Sequence, residues 1–134
     1  LDAYVDAAST VIANVEGTSL ALFAGVRAEP VPDDVAAAAM HQAMVLREMR
    51  GSAHLAAVTA VGLRTEIAHA IKRPNDIALF GWQDVPPEPT DADRAAHDRA
   101  ESITDTIVLP GFAALSGEQA AALVAGTEAM YATL

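Results

Sequence analysis

Four histidines, one tryptophan and a handful of arginines are the residues of this chain whose chemistry reaches beyond packing. His41 and Glu48 lie seven apart and share one face of a predicted long helix, while Arg47, Arg50 and His54 share another at i, i+3 and i+7. Glu66-Ile-Ala-His69 has the Glu-x-x-His spacing by which helical di-iron bundles bring a carboxylate and an imidazole to a metal. Those bundles use two such motifs and two further glutamates, and one copy occurs here, so neither a metal nor another cofactor is expected. His54 and His69 lining one pocket, with Arg50 nearby, would suit a small anion or acid/base work near neutral pH, where imidazole titrates. The competing reading satisfies the same side chains with helix ends and backbone carbonyls in a packed interior. Trp82, following Gly81, is either an anchor for the proline-rich link after it or one wall of a ligand site.

The stretch from Thr65 to Phe80 has the outline of a helix-turn-helix: a short capped helix, a turn at Arg73-Pro74-Asn75, and a short apolar segment from Asp76. DNA use of that motif needs basic or amide side chains on the exposed face of the second helix. Here that helix offers Asn75 and Asp76 and then apolar residues, so Arg64, Lys72 and Arg73 would touch phosphates without reading bases.

The elements that must position these residues follow from periodicity and punctuation. Asp2 starts a helix that runs through Tyr4, Ala8, Val11, Val15 and Leu22 to near Gly25. Glu29 to Asp34 is a proline-punctuated turn whose aspartates cap a long helix from Val35 to Ala60, with Gly51-Ser52 marking a kink or close crossing. Met40, Met44 and Met49 are expected to fill its core side. Gly62-Leu63 ends it, and Thr65 caps the short helix that carries His69. Residues 81–90 form a Gly/Pro-rich link. Thr90 then starts an acidic helix to Val108, stopped by Pro110-Gly111, with Asp91, Asp93, Asp98, Glu101 and Asp105 as a solvated face. Ser116-Gly-Glu-Gln119 reads as a capping box for a last helix to about Tyr131.

Composition agrees with helices throughout. Apolar residues make up 52% of 134, 31 of them alanine, and aromatic residues only 4%. Alanine is the best helix former, so the pattern specifies closely packed helices around a core of small side chains and argues against a sandwich or barrel. The absence of cysteine excludes disulfides, zinc fingers and a thiol nucleophile. No 18-residue apolar run and no basic-then-apolar leader is present, so neither a membrane span nor membrane partner is expected and a cytoplasmic location is. The net charge of −10 repels nucleic acid phosphate except where bases concentrate. They concentrate in residues 27–73, which hold six of the eight.

The residues also resemble a known family. Val45-Leu-Arg-Glu-Met-Arg-Gly-Ser-Ala-His-Leu-Ala-Ala57, then Val61-Gly-Leu63 with His69, then Ala78-Leu-Phe-Gly-Trp82, is similar to the C-terminal half of an actinobacterial helix-turn-helix, winged-helix-like family about twice this length. Thr90 to Asp105 is similar to that family's post-wing helix, which ends in Glu-x-x-Thr-Asp. The likeness covers roughly residues 30–130. Arg47, Glu48, Arg50, Gly51, His54, Gly62, Leu63, His69, Gly81, Trp82, Thr90, Arg94, Glu101, Thr104 and Asp105 fit its pattern. Met49 stands where the family has histidine, Ser52 where it has aspartate, and Ile67 where it has glutamate. Between Gly-Trp and the post-wing helix only Gln83 to Pro89 remain, so the resemblance implies that the recognition helix and wing are deleted and makes nucleic acid a doubtful partner. The chain begins at Leu1, consistent with an N-terminal half being absent.

These readings converge on an all-α fold: one domain, residues 1–134, a bundle of about five or six helices containing a helix-turn-helix-like short pair. A homodimer is expected, because a thin alanine-rich core gains from burying apolar surface against a second copy. The function expected is non-enzymatic: small-molecule sensing or protein interaction on a degenerate winged-helix scaffold, with Arg50, His54, His69, Trp82 and Glu48 binding the ligand. One alternative is a small enzyme using His54 and His69 for acid/base or metal-assisted chemistry with Glu48 or Glu66 assisting. Another is a DNA-binding transcriptional regulator using Arg64, Lys72 and Arg73.

Overall fold

A computed structural model describes residues 1–82, 85 and 88–133. Gln83, Asp84, Pro86 and Pro87, in the expected link, where the resemblance implied a deleted recognition helix and wing, lie outside the described residues. The fold is all-α: α1 (Asp2–Ala13), α2 (Ala21–Val26), α3 (Val35–Ala60), α4 (Thr65–Lys72), a 3₁₀ helix (Pro74–Phe80), α5 (Asp91–Ala113) and α6 (Gly117–Tyr131). Two compact units divide it: Leu1–Ser52 with Thr106–Leu134, and Ala53–Asp105.

In the first unit the expected N-terminal helix is two helices. α1 stops at Ala13, and the Glu16 carboxylate accepts from both the N–H and the hydroxyl of Thr18, holding a turn where the apolar stripe would have continued. Those hydrogen bonds hold the Glu16 carboxyl below its ordinary value. The Arg27 guanidinium donates to the Val15 carbonyl at 3.1 Å and lies over the Phe23 ring, tying the turn to α2. Of the kink or close crossing expected at Gly51-Ser52, the structure has a close approach of α2: α3 is continuous, and the Ser52 hydroxyl accepts the otherwise orphaned N–H of Phe23 at 3.3 Å. Phe23 is fully buried. Asp34 caps α3 as expected, accepting from the Ala37 N–H at 2.9 Å.

α1 packs against α6, with Tyr4, Ala8 and Ala39 buried together beneath Leu123 and Met130. Burial raises the Tyr4 phenol above its ordinary pKa. Close approach is possible because two positions carry no Cβ. One added at Gly126 would meet the Tyr4 Cβ at 2.5 Å, and one at Gly111 would meet the Val11 carbonyl oxygen at 2.7 Å. Pro110 therefore does not stop α5; the helix carries it and runs on to Ala113, so that Gly111 reaches α1. The Ser116 and Gln119 capping box starts α6 as expected. Of the three methionines placed in the core, only Met49 is buried; Met40 and Met44 are about half exposed.

In the second unit Ala57 and Val58 of α3, Leu63, Ile67 and Ala68, and Ala96 and Ala100 of α5 form one core. Gly62, at φ 72°, closes α3 in the left-handed conformation that glycine adopts without strain. α4 begins at Thr65, with Arg64 rather than Thr65 in the capping position. At the head of α5 the Thr90 backbone N–H and hydroxyl donate to Asp93, and the Asp93 N–H donates back to the Thr90 hydroxyl. Among the described residues no single helix is long and apolar enough to cross a membrane.

Candidate functional site

Ala96 and Ala100 are the contacts α5 makes with the core of the second unit, and small side chains there let the helices close. His97, Glu101 and Thr104, at i, i+4 and i+7, then share one face of α5. His54 of α3 meets that face. Its ring centroid is 5.9 Å from that of His97, edge-on, and its Nδ1 is 3.2 Å from Thr104 Oγ1 and 3.8 Å from Glu101 Oε1. Glu101 Oε1 is in turn 3.5 Å from His97 Nε2.

Hydrogen-bond accounting assigns the His54 tautomer. The Thr104 hydroxyl has one proton and donates it to the Ala100 carbonyl at 2.7 Å, so its oxygen accepts, and His54 Nδ1 carries the hydrogen. His97 is buried to 2% exposure, and its Nε2 has no hydrogen-bond partner. An imidazole nitrogen left unpaired out of reach of water is costly, which sets this residue apart from ordinary packing. His54, His97 and Glu101 each offer one donor atom, all within 4.8 Å of one another, a set suited to a metal ion.

His69 sits in a different environment. Its Nε2 is 3.9 Å from Asp76 Oδ2 and lacks a hydrogen-bond partner, and its ring meets Phe80 and Trp82 edge-on at centroid distances of 4.9 and 5.4 Å. Phe80 and Trp82 stack on each other at 4.8 Å. Gly81 turns the chain between them at φ 66°.

The histidine beside His54 is thus His97, and the partner of His69 is Trp82. Arg50 and Glu48 belong to the first unit, where Arg50 is exposed and Glu48 pairs with the neighbouring Arg47. A pocket of about 360 Å³ in that unit is lined by Ser9, Ile12, Arg27, His41, Gln42 and Val45, among others, and by none of the expected ligand residues. His97 was missed, although His-x-x-x-Glu over 97–101 was visible, because the acidic character of α5 made it look solvated. Glu101 corrects that reading. Its side chain is 26% exposed and turned toward the two imidazoles.

Of the phosphate candidates, Arg64 donates to Glu66 from Nε at 3.0 Å, Arg73 lies 4.0 Å from Asp76, and Lys72 is exposed. The Glu66 carboxyl is held below its ordinary value by its own backbone N–H and by Arg64. The segment after them, expected as a short helix, is a 3₁₀ helix that exposes Leu79 to 82% and Phe80 to 52%.

No curated protein and no solved structure matches the chain. A family model described as a helix-turn-helix family matches residues 1–78, from α1 through α4 into the 3₁₀ segment, and includes His54, His69, Arg64, Lys72 and Arg73. That match spans more than half of the sequence, and the chain belongs to the helix-turn-helix family.

Proposed function

We propose that this protein is a non-enzymatic sensing domain on a helix-turn-helix scaffold, binding a small ligand at His54, His97 and Glu101. The observation that carries the reading is the convergence of His54, His97 and Glu101, with His97 Nε2 buried and lacking a hydrogen-bond partner. Preorganised polar groups meeting in an otherwise apolar, alanine-lined interior are the usual mark of a binding site. His54, Glu101 and Thr104 come from two separate sequence segments that fit the family resemblance, and they meet here. The short helix pair favours the same reading, since two of its three cations stand beside carboxylates and its second element presents Leu79 and Phe80.

Native mass spectrometry of the protein as purified from its host tests this. A mass above that of the bare chain, lost in Glu101→Gln, is expected. A bare chain, or an adduct retained unchanged by that variant, overturns the reading. The same spectrum reports the proposed homodimer, for which exposed Leu109, Phe112, Val124 and Tyr131 in the first unit supply apolar surface.

The family membership favours a second reading, DNA binding through Arg64, Lys72 and Arg73. It requires a mixed-sequence duplex to bind at low salt with affinity falling steeply as salt rises. No retarded complex at low salt excludes it.

A further inference from the structure

We infer that His54, His97 and Glu101 bind a divalent first-row transition-metal ion of the zinc class, a site that the sequence did not assign. The inference rests on the proposed sensing role of the same cluster and names its ligand class.

Two imidazoles and one carboxylate are the donor set that such ions take in proteins, with open positions left for water or a small anion. Bond lengths of about 2.0–2.2 Å in a tetrahedral array put donor atoms about 3.4 Å apart. The carboxylate oxygen already stands 3.5 Å from His97 Nε2 and 3.8 Å from His54 Nδ1, and all three donors fall within 4.8 Å. Small side-chain rotations close the set. Independently of that geometry, His97 Nε2 is buried with its lone pair or proton unmatched. A metal ion is a partner that satisfies an imidazole nitrogen outright. On binding, His54 changes tautomer, giving its Nδ1 proton to solvent while Nε2 takes one up, and Nδ1 exchanges Thr104 Oγ1 for the ion, as imidazole ligands must be neutral and deprotonated at the ligating nitrogen. Thr104 then retains its bond to the Ala100 carbonyl and borders the site.

The position of the ligands explains how occupancy would be felt. His97 and Glu101 lie on α5 and His54 on α3, and both helices supply core residues packed with Ile67 and Ala68 of α4. An ion drawing α3 and α5 together in this unit tightens the core that holds the helix-turn-helix pair.

The test uses the full chain, stripped with a chelator and titrated with Co²⁺ as a visible probe, followed by Zn²⁺ competition. Expected is one ion per chain with ligand-field absorption, displaced by Zn²⁺. Glu101→Gln and His54→Asn, whose side chains are 26% and 22% exposed and therefore unlike the buried His97 in their tolerance of substitution, raise the dissociation constant at least about tenfold. His69→Ala leaves it within about twofold. Absence of Co²⁺ absorption in the folded wild type, or equal affinity in wild type and Glu101→Gln, overturns the inference. Hydrogen exchange of α4 with and without Zn²⁺, read on the same samples, separates the two readings. Binding with unchanged exchange upholds the metal site and removes the sensor, whereas absent binding removes the metal and leaves an organic ligand to the mass spectrum.

Discussion

His54 Nδ1 stands 3.2 Å from the Thr104 hydroxyl, which itself donates to the Ala100 carbonyl one turn back on α5. This pairing links α3 to α5 within the second unit and decides which nitrogen of the imidazole carries hydrogen. A fully buried threonine that back-bonds its own helix and still accepts from a second helix uses both capacities of its hydroxyl.

Thr104→Val keeps the shape and removes the acceptor. A loss of about 1 kcal/mol in unfolding free energy is expected, typical for one internal hydrogen bond. Urea denaturation reads the stability, and nitrogen-15 shifts of the His54 ring read the tautomer, which loses its bias toward Nδ1–H. Unchanged ring shifts would remove Thr104 from the site.

Gly111 and Gly126 test the close packing of the first unit. Gly126→Ala drives a methyl into the Tyr4 side chain, and Gly111→Ala drives one against the Val11 carbonyl, which cannot rotate away. Each is expected to cost about 1–3 kcal/mol, the range for overpacking. Gly25→Ala, with nothing within 4 Å of the new Cβ, is expected to stabilise by about 0.5–1 kcal/mol through lost backbone entropy in the unfolded chain. Thermal unfolding of the three variants gives the ranking, and a destabilising Gly25→Ala would contradict it.

Ser52→Ala leaves the N–H of the buried Phe23 without its acceptor. The expected cost is about 1–3 kcal/mol, the penalty for an unsatisfied buried donor. Hydrogen exchange at Phe23 should accelerate more than at Val11, which keeps its helical environment. Equal acceleration at both would point to global unfolding instead.

The Thr90 and Asp93 cap predicts a pH dependence. The Thr90 hydroxyl and then its backbone N–H hold the Asp93 carboxyl below its ordinary value. A carboxylate depressed by folding stabilises above its unfolded pKa, and that contribution is lost as pH falls through the folded value. The wild type should therefore lose stability below about pH 4. Asp93→Asn accepts hydrogen bonds without titrating, so its acid limb should be shallower than that of the wild type. Parallel limbs in melts taken between neutral pH and about pH 3 would refute the assignment.

Several features were legible in the residues alone because they are set by neighbours in sequence. Alanine content and 3.6-residue periodicity specified an all-helical chain, Asp34 specified the start of α3, Gly62 its end, and Ser116 with Gln119 the start of α6. Each of these depends on hydrogen bonds spanning a few residues, and residue type decides them locally.

What only the tertiary structure decided is which distant side chains meet. Ser52 marked a kink or a close crossing in sequence and proves to be an acceptor for Phe23, 29 residues away. Pro110 read as a stop, yet the helix continues so that Gly111 can lie against Val11. The pairing of His54 with His97 and Glu101 follows the same logic. Periodicity places His97 and Glu101 on one face of α5 but does not say which face turns inward, because the acidic stripe and the alanine stripe compete for solvent. Burial of Ala96 and Ala100 against Ile67 and Ala68 settles that competition. The helix then carries His97 inside, where an imidazole needs a partner that sequence spacing could not name.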